Sequence, residues 1–216
     1  MSTALVPRNS SMSSDFRNSV VGVVLAGGTS RRFGGVPKGL ELVDGSRIID
    51  RVADAVRSVS SELLLAANDP NASGWLPGVA VVQDIHPRGG GLSGVEAALA
   101  RGRDIVVVAW DMPFVTPDLL RLLLSASHGA RVTVPESNSA YGVEPFCAWY
   151  STAVLPELSA FLDQGGGPAR DFLSGVPGVH RVPLDEVARI GTPERLLLSV
   201  NTAEDLDRAR ALARSQ

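Results

Sequence analysis

A glycine loop that ends in cations is the first place where this sequence could do chemistry. Leu25-Ala26-Gly27-Gly28-Thr29-Ser30-Arg31-Arg32-Phe33-Gly34-Gly35-Val36-Pro37-Lys38 follows directly on an apolar run. Glycines let backbone N–H groups approach phosphate oxygens closely, while Arg32 and Lys38 can neutralise the charge that builds on a departing polyphosphate. The spacing is neither the Gly-x-x-x-x-Gly-Lys-Ser/Thr of a Walker A loop nor the Gly-x-Gly-x-x-Gly of dinucleotide folds. Taken alone, the loop would also serve as a flexible turn with surface cations. Three more polar residues, Asn68, Asp84 and Asp111, each stand just beyond an apolar run. Asn and Asp often end strands as turn residues, but an acid directly after Ile105-Val106-Val107-Val108-Ala109-Trp110 is also well placed to meet a ligand.

The elements that must position these residues alternate between strand and helix. Val20-Val21-Gly22-Val23-Val24-Leu25, Leu63-Leu64-Leu65-Ala66-Ala67, Val79-Ala80-Val81-Val82 and Ile105–Trp110 read as strands covered on both faces. Ile48, Ile49, Val52, Ala55, Val56 and Val59 recur at helical spacing. A glycine-rich loop at Gly89-Gly90-Gly91 leads into a predicted helix from Ser93 to Arg101, and another is predicted from Pro117 to Ser125 with Thr116 as its N-cap. Val132-Thr133-Val134 and Val143 to Tyr150 flank a turn and read as a hairpin-like pair. Leu155, Leu158 and Leu162 mark a helix stopped by Gly165-Gly166-Gly167-Pro168, and the last helix spans Ala203 to Ala213 behind Thr202 and Asp205, a capping-box-like pair. Such alternation predicts an α/β domain with a mostly parallel (mixed) sheet and helices on both faces. In open sheets of this kind ligands bind beyond the carboxyl ends of the strands. Gly27-Gly28, Asn68, Asp84 and Asp111 are therefore expected to face one cleft.

Composition narrows the class further. The chain has 216 residues with a formal charge of −3, 44% hydrophobic and 20% charged, as an ordinary globular protein has. The acidic balance argues against a nucleic-acid-coating protein, which needs a basic face. The 22 glycines and 14 prolines exceed average usage and belong in loops, where chemistry usually lies. Cys147 is the single cysteine, and His86, His128 and His180 have no metal-ligand spacing. No apolar run is long enough to span a membrane. We read a protein of the reducing cytoplasm, without a membrane anchor. Residues 1–18 are serine-rich and read as a disordered or tag-derived tail, with Leu5-Val6-Pro7-Arg8 resembling a cleavable linker; residues 19–216 form the domain.

The loop from Leu25 through Arg32, Gly34 and Lys38 resembles that of nucleotidyltransferases that activate small phosphorylated molecules, in particular the molybdenum cofactor guanylyltransferases of the MobA-like NTP transferase family. Four further segments continue the resemblance in order: Gly90-Gly91-Leu92-Ser93-Gly94, Trp110-Asp111-Met112-Pro113-Phe114, Pro145-Phe146-Cys147-Ala148 and Val200-Asn201-Thr202-Ala203-Glu204-Asp205-Leu206. Together they span roughly residues 20 to 210. The resemblance implies a Rossmann-like nucleotidyltransferase fold and transfer of GMP from GTP to the terminal phosphate of the molybdenum-pterin cofactor, with pyrophosphate released.

By that resemblance Leu25, Ala26, Gly27 and Gly28 line the guanine and phosphate region, Lys38 contacts phosphate, and Asn68 and Asp84 hold the nucleoside. Arg32 stabilises the leaving pyrophosphate. Asp111 holds Mg²⁺, an ion usually bound by one or two carboxylates together with substrate phosphates. Asn201 lies near the pterin phosphate, or else caps the last helix. The attacking phosphate monoester is already largely dianionic at neutral pH, so no general base is needed. The product's oxygen-labile cofactor implies transient encounters with a molybdenum insertase and apo-molybdoenzymes, with no part for nucleic acid or membrane. The chain departs from the family pattern at Pro37, which replaces an Asp, at Ser199, which replaces an Asn, and at Glu144, where Gln or His is more usual. Two alternatives are a cytidylyltransferase acting on the same cofactor, whose loop more often reads Leu-Ala-Ala-Gly, and a non-catalytic nucleotide-binding module.

Overall fold

The computed structural model describes residues 20–27, 37–87 and 89–214. Its elements in chain order are β1 (Val20–Leu25), the hairpin β2 (Leu42–Val43) and β3 (Ser46–Arg47), α1 (Ile48–Arg57), β4 (Glu62–Ala66), β5 (Ala80–Val82), α2 (Gly91–Leu99), β6 (Asp104–Ala109) and α3 (Pro117–Ser125). Then come β7 (Val132–Pro135), β8 (Cys147–Tyr150), α4 (Leu155–Asp163), α5 (Ala169–Gly175), β9 (Val179–Val182), α6 (Leu184–Ala188), α7 (Pro193–Leu196) and α8 (Ala203–Arg214). Seven strands form one sheet in the order β5-β4-β1-β6-β8-β7-β9. Every pairing is parallel except those of β8, which runs against both β6 and β7. The sheet is thus mixed and mostly parallel, as the alternation predicts.

The apolar strands are continuous because both faces of the sheet are covered. Side chains alternate across a strand, so Val20 and Val24 of β1 enter one core with Ile48 and Ile49 of α1 and Leu119 and Leu120 of α3. Val21, Val23 and Leu25 enter the other, with Leu92 and Val95 of α2 and Leu158 of α4. Thr116 caps α3 by accepting a hydrogen bond from the Leu119 N–H, and Pro117 occupies its first turn, where the missing N–H costs nothing. The Thr202 hydroxyl accepts from the Asp205 N–H while the Asp205 carboxylate accepts from the Thr202 N–H, the reciprocal box read from the sequence.

Some boundaries move. β8 begins at Cys147 rather than Val143, which makes only an isolated bridge to Glu136; Pro145 has no N–H with which to continue the ladder. α2 starts at Gly91 instead of Ser93, because Gly90 turns the chain at a φ of 61°, a conformation glycine adopts without a Cβ clash. Between Gly165 and α8, where the apolar pattern is weak, the chain folds as α5, β9, α6 and α7.

Candidate active site

Register brings the site together. Leu25 of β1 pairs with Ala109 of β6, so Gly27 and Asp111 leave the sheet side by side, each two residues beyond that pair. Bonds across the strand ends hold them there: Trp110 N–H donates to the Leu25 carbonyl at 3.0 Å and Val200 N–H to the Asp111 carbonyl at 2.8 Å. Above these ends lies a cleft of about 550 Å³, into which Gly27, Lys38, Asp111, Glu144 and Asn201 project together with the Gly89-Gly90-Gly91 loop. The N-terminus of α2 opens onto it, and its dipole favours an anion there.

Lys38 is the hub of the polar network. Its ammonium pairs with Asp111 Oδ2 and donates to Asn201 Oδ1 at 2.8 Å. The other end of the Asn201 amide donates to Ser199 Oγ at 3.0 Å, so Ser199 fixes which way that amide faces. Asp111 is only 5% exposed, and its Oδ1 accepts no hydrogen bond among the described residues. A buried carboxylate oxygen without a donor is costly to maintain. A hard divalent cation is the natural partner for it, and the residues present fit one. No group of three or more His, Cys, Asp or Glu converges among the described residues, so phosphate oxygens of a substrate are needed to complete the ion's shell.

Local chain geometry aims Lys38. Pro37 sits at a φ of −63°, the value its ring imposes, and its carbonyl accepts from the Leu40 N–H to close the single turn Lys38–Leu40. Gly39 is pressed onto Trp110, where a Cβ would lie 2.4 Å from the indole ring. Trp110 in turn stacks on Trp75 at 4.9 Å between ring centroids. The turn that presents the lysine is thus wedged against the strand that presents the aspartate.

The other sequence-predicted residues divide into three groups. Leu25 and Gly27 line the cleft, whereas Ala26 is buried beneath it and gives its N–H to the Ala66 carbonyl. Asn68 and Asp84, expected at the same cleft, do not line it; they meet each other beyond the ends of β4 and β5, where the Asn68 amide donates to Asp84 Oδ2 at 2.6 Å and accepts from the Asp84 N–H at 2.9 Å. Burial holds the Asp84 carboxyl above the usual carboxylate range. Gly28 and Arg32 lie outside the described residues.

Sequence reasoning passed over Gly39, noted His86 only for lacking metal-ligand spacing, and noted Glu144 only as a departure from the family pattern. His86, in the segment between β5 and α2, contacts Glu96 Oε2 at 2.6 Å and Asp163 Oδ1 at 2.9 Å through its two ring nitrogens. Its pKa is raised by those bonds, first from Glu96 and then from Asp163. Glu144 is pushed up chiefly by burial, with the charge of Asp111 adding to the effect. Cys147 is buried and its thiol pushed up by that burial, as a packed small residue rather than a nucleophile.

An acid at the end of a central strand with a lysine beside it, over the carboxyl ends of a mostly parallel sheet, suits the binding of a nucleotide's phosphates. Residues 22–182 match the family described as MobA-like NTP transferase domain, and the chain belongs to that family. It is 33% identical over 201 residues to a molybdenum cofactor guanylyltransferase of Desulfosudis oleivorans, covering 90% of this chain and 96% of that protein. Among solved structures it is similar to molybdopterin-guanine dinucleotide biosynthesis protein A of Archaeoglobus fulgidus, at 25% identity and a TM-score of 0.78, covering 91% of this chain and all of that one. A Mycobacterium tuberculosis protein solved in complex with manganese shares the fold at 24% identity and a TM-score of 0.61, over 90% of this chain and 98% of that one.

Proposed function

We propose that the chain transfers GMP from GTP to the terminal phosphate of the molybdenum-pterin cofactor. An oxygen of that phosphate attacks the α-phosphorus of GTP, a new P–O–P linkage forms, and the bond to the β-phosphate breaks to release pyrophosphate. The observation that carries this reading is the buried, unpartnered Asp111 Oδ1 beside Lys38 at the end of β6. Asp111 would hold Mg²⁺ through that oxygen, and the ion, when bound, supplies charge neutralisation at the phosphates. Lys38, tethered by Asn201, brings its ammonium to the phosphate oxygens. The backbone at Gly27 and the N-terminus of α2 offer N–H groups to the same anions. By their match to the family, Gly28 and Arg32 contact the phosphates and the leaving pyrophosphate, and the Asn68–Asp84 pair holds the nucleoside. The attacking phosphate needs no base, so catalysis reduces to positioning and charge neutralisation. Molybdenum insertase and apo-molybdoenzymes would receive the product.

Calorimetric titration with GTP, CTP, ATP and UTP, each with and without Mg²⁺, tests the nucleotide. Selective, Mg²⁺-strengthened GTP binding is expected. Selective CTP binding would reassign the donor, and no binding would remove the reading.

A further inference from the structure

β6 and β8 pair antiparallel from Ile105 opposite Tyr150 to Val108 opposite Cys147, and the Ala109 N–H extends the register by donating to the Phe146 carbonyl at 2.7 Å. Beyond that register both chains turn, and Asp111 and Glu144 both line the cleft above the strand ends. Glu144 is not a loose surface acid. Its N–H donates to the Pro135 carbonyl at 3.1 Å, and its carbonyl accepts from the Cys147 N–H at 3.2 Å. The backbone of Glu144 is thus held at the wall of the cleft.

Asp111 has Lys38 on one oxygen, whereas Glu144 makes no ion pair among the described residues. Asp111 and Glu144 line the same cleft and the charge of Asp111 acts on Glu144, so a further cation there would relieve two partly desolvated carboxylates. The unpartnered Asp111 Oδ1, on a residue 5% exposed, independently marks where that cation belongs.

We propose that Glu144 is a second carboxylate of the divalent-cation site, sharing with Asp111 the ion that accompanies the nucleoside triphosphate. This rests on the nucleotidyltransferase reading above and goes beyond it by adding a second carboxylate to the site. The Glu144 carboxylate takes part of the ion's oxygen shell from the β8 side, leaving the remaining positions to Asp111 and phosphate.

Mn²⁺ is the probe, and its binding to the full chain, with GTP present and acceptor absent, is read by electron paramagnetic resonance. Glu144→Gln should weaken Mn²⁺ by about 10-fold or more, the scale of removing a partner that orients a metal site. Its affinity for GTP without metal should stay within about twofold, and its melting temperature at neutral pH should not fall, because a buried like-charged acid has been neutralised. Glu144→Asp, which keeps the charge but withdraws it by one methylene, should lie between. Unchanged Mn²⁺ affinity in Glu144→Gln would overturn the proposal, as would an equal loss of metal-free GTP binding, which would make Glu144 a nucleotide contact. Failure of the unmodified chain to bind Mn²⁺ with GTP bound would overturn the shared cation site itself, whereas failure to bind GTP at all would instead remove the nucleotidyltransferase reading.

Discussion

Lys38 reaches Asn201 across 163 positions of chain and pairs with Asp111 on the way. The types of these three residues were readable because each stands in a short motif, but their contact was not, since it depends on two loops meeting over the end of β6. Gly39 shows the opposite case. Nothing in a Lys-Gly dipeptide signals that the glycine is pressed onto an indole far away in sequence. Asp111→Asn keeps the shape of the side chain and removes its charge, so Mg²⁺-dependent turnover should fall by roughly 10²–10³-fold, the scale of losing one charge-stabilising group, with the melting temperature unchanged. A pyrophosphate-release assay beside a thermal melt separates the two effects, and near-normal turnover would remove Asp111 from the metal site. Gly39→Ala should cost about 1–3 kcal/mol by overpacking against Trp110 and should lower activity by shifting the lysine turn. Denaturant unfolding measures the first, and an unchanged midpoint would mean that the turn yields freely.

Among the elements, the strand ends were the most legible feature, because buried parallel strands are continuous apolar runs and whatever follows them must turn. The short elements between Gly165 and α8 were not, since helices of four to seven residues show too little periodicity to read. The β2–β3 hairpin escaped for the same reason, although its Asp44-Gly45 turn, with φ of 52° and 75°, is a favoured two-residue connection. The segment joining β5 to α2 carries Asp84 and the glycines of the cleft, and His86 ties it to Glu96 of α2 and Asp163 of α4. Because the folded-state pKa of His86 is raised, its contribution to stability is complete below the ordinary histidine value and is lost as pH rises through the raised value. The unmodified chain should therefore out-melt His86→Gln most at about pH 6 and least at about pH 9. Thermal melts across that range check the sign, and a gap that widened with pH would show that the histidine does not act through its charge.

At the scale of the whole molecule, two cores cover the faces of one sheet, and the cleft opens at the carboxyl ends of β1 and β6. That arrangement supplies rigid positions rather than a nucleophile or a base, which suits a reaction whose attacking group arrives already charged. Family membership and the mixed, mostly parallel sheet agree with the sequence reading. The donor base and the acceptor depend on the shape of the cleft around Gly27, Lys38 and Asn201. The most direct measurement is pyrophosphate release from each nucleoside triphosphate with Mg²⁺ and the purified molybdenum-pterin phosphate as acceptor. The account predicts release with GTP that requires both acceptor and metal and yields the guanine dinucleotide form. Release with CTP but not GTP, or no acceptor-dependent release from any nucleotide, would contradict it.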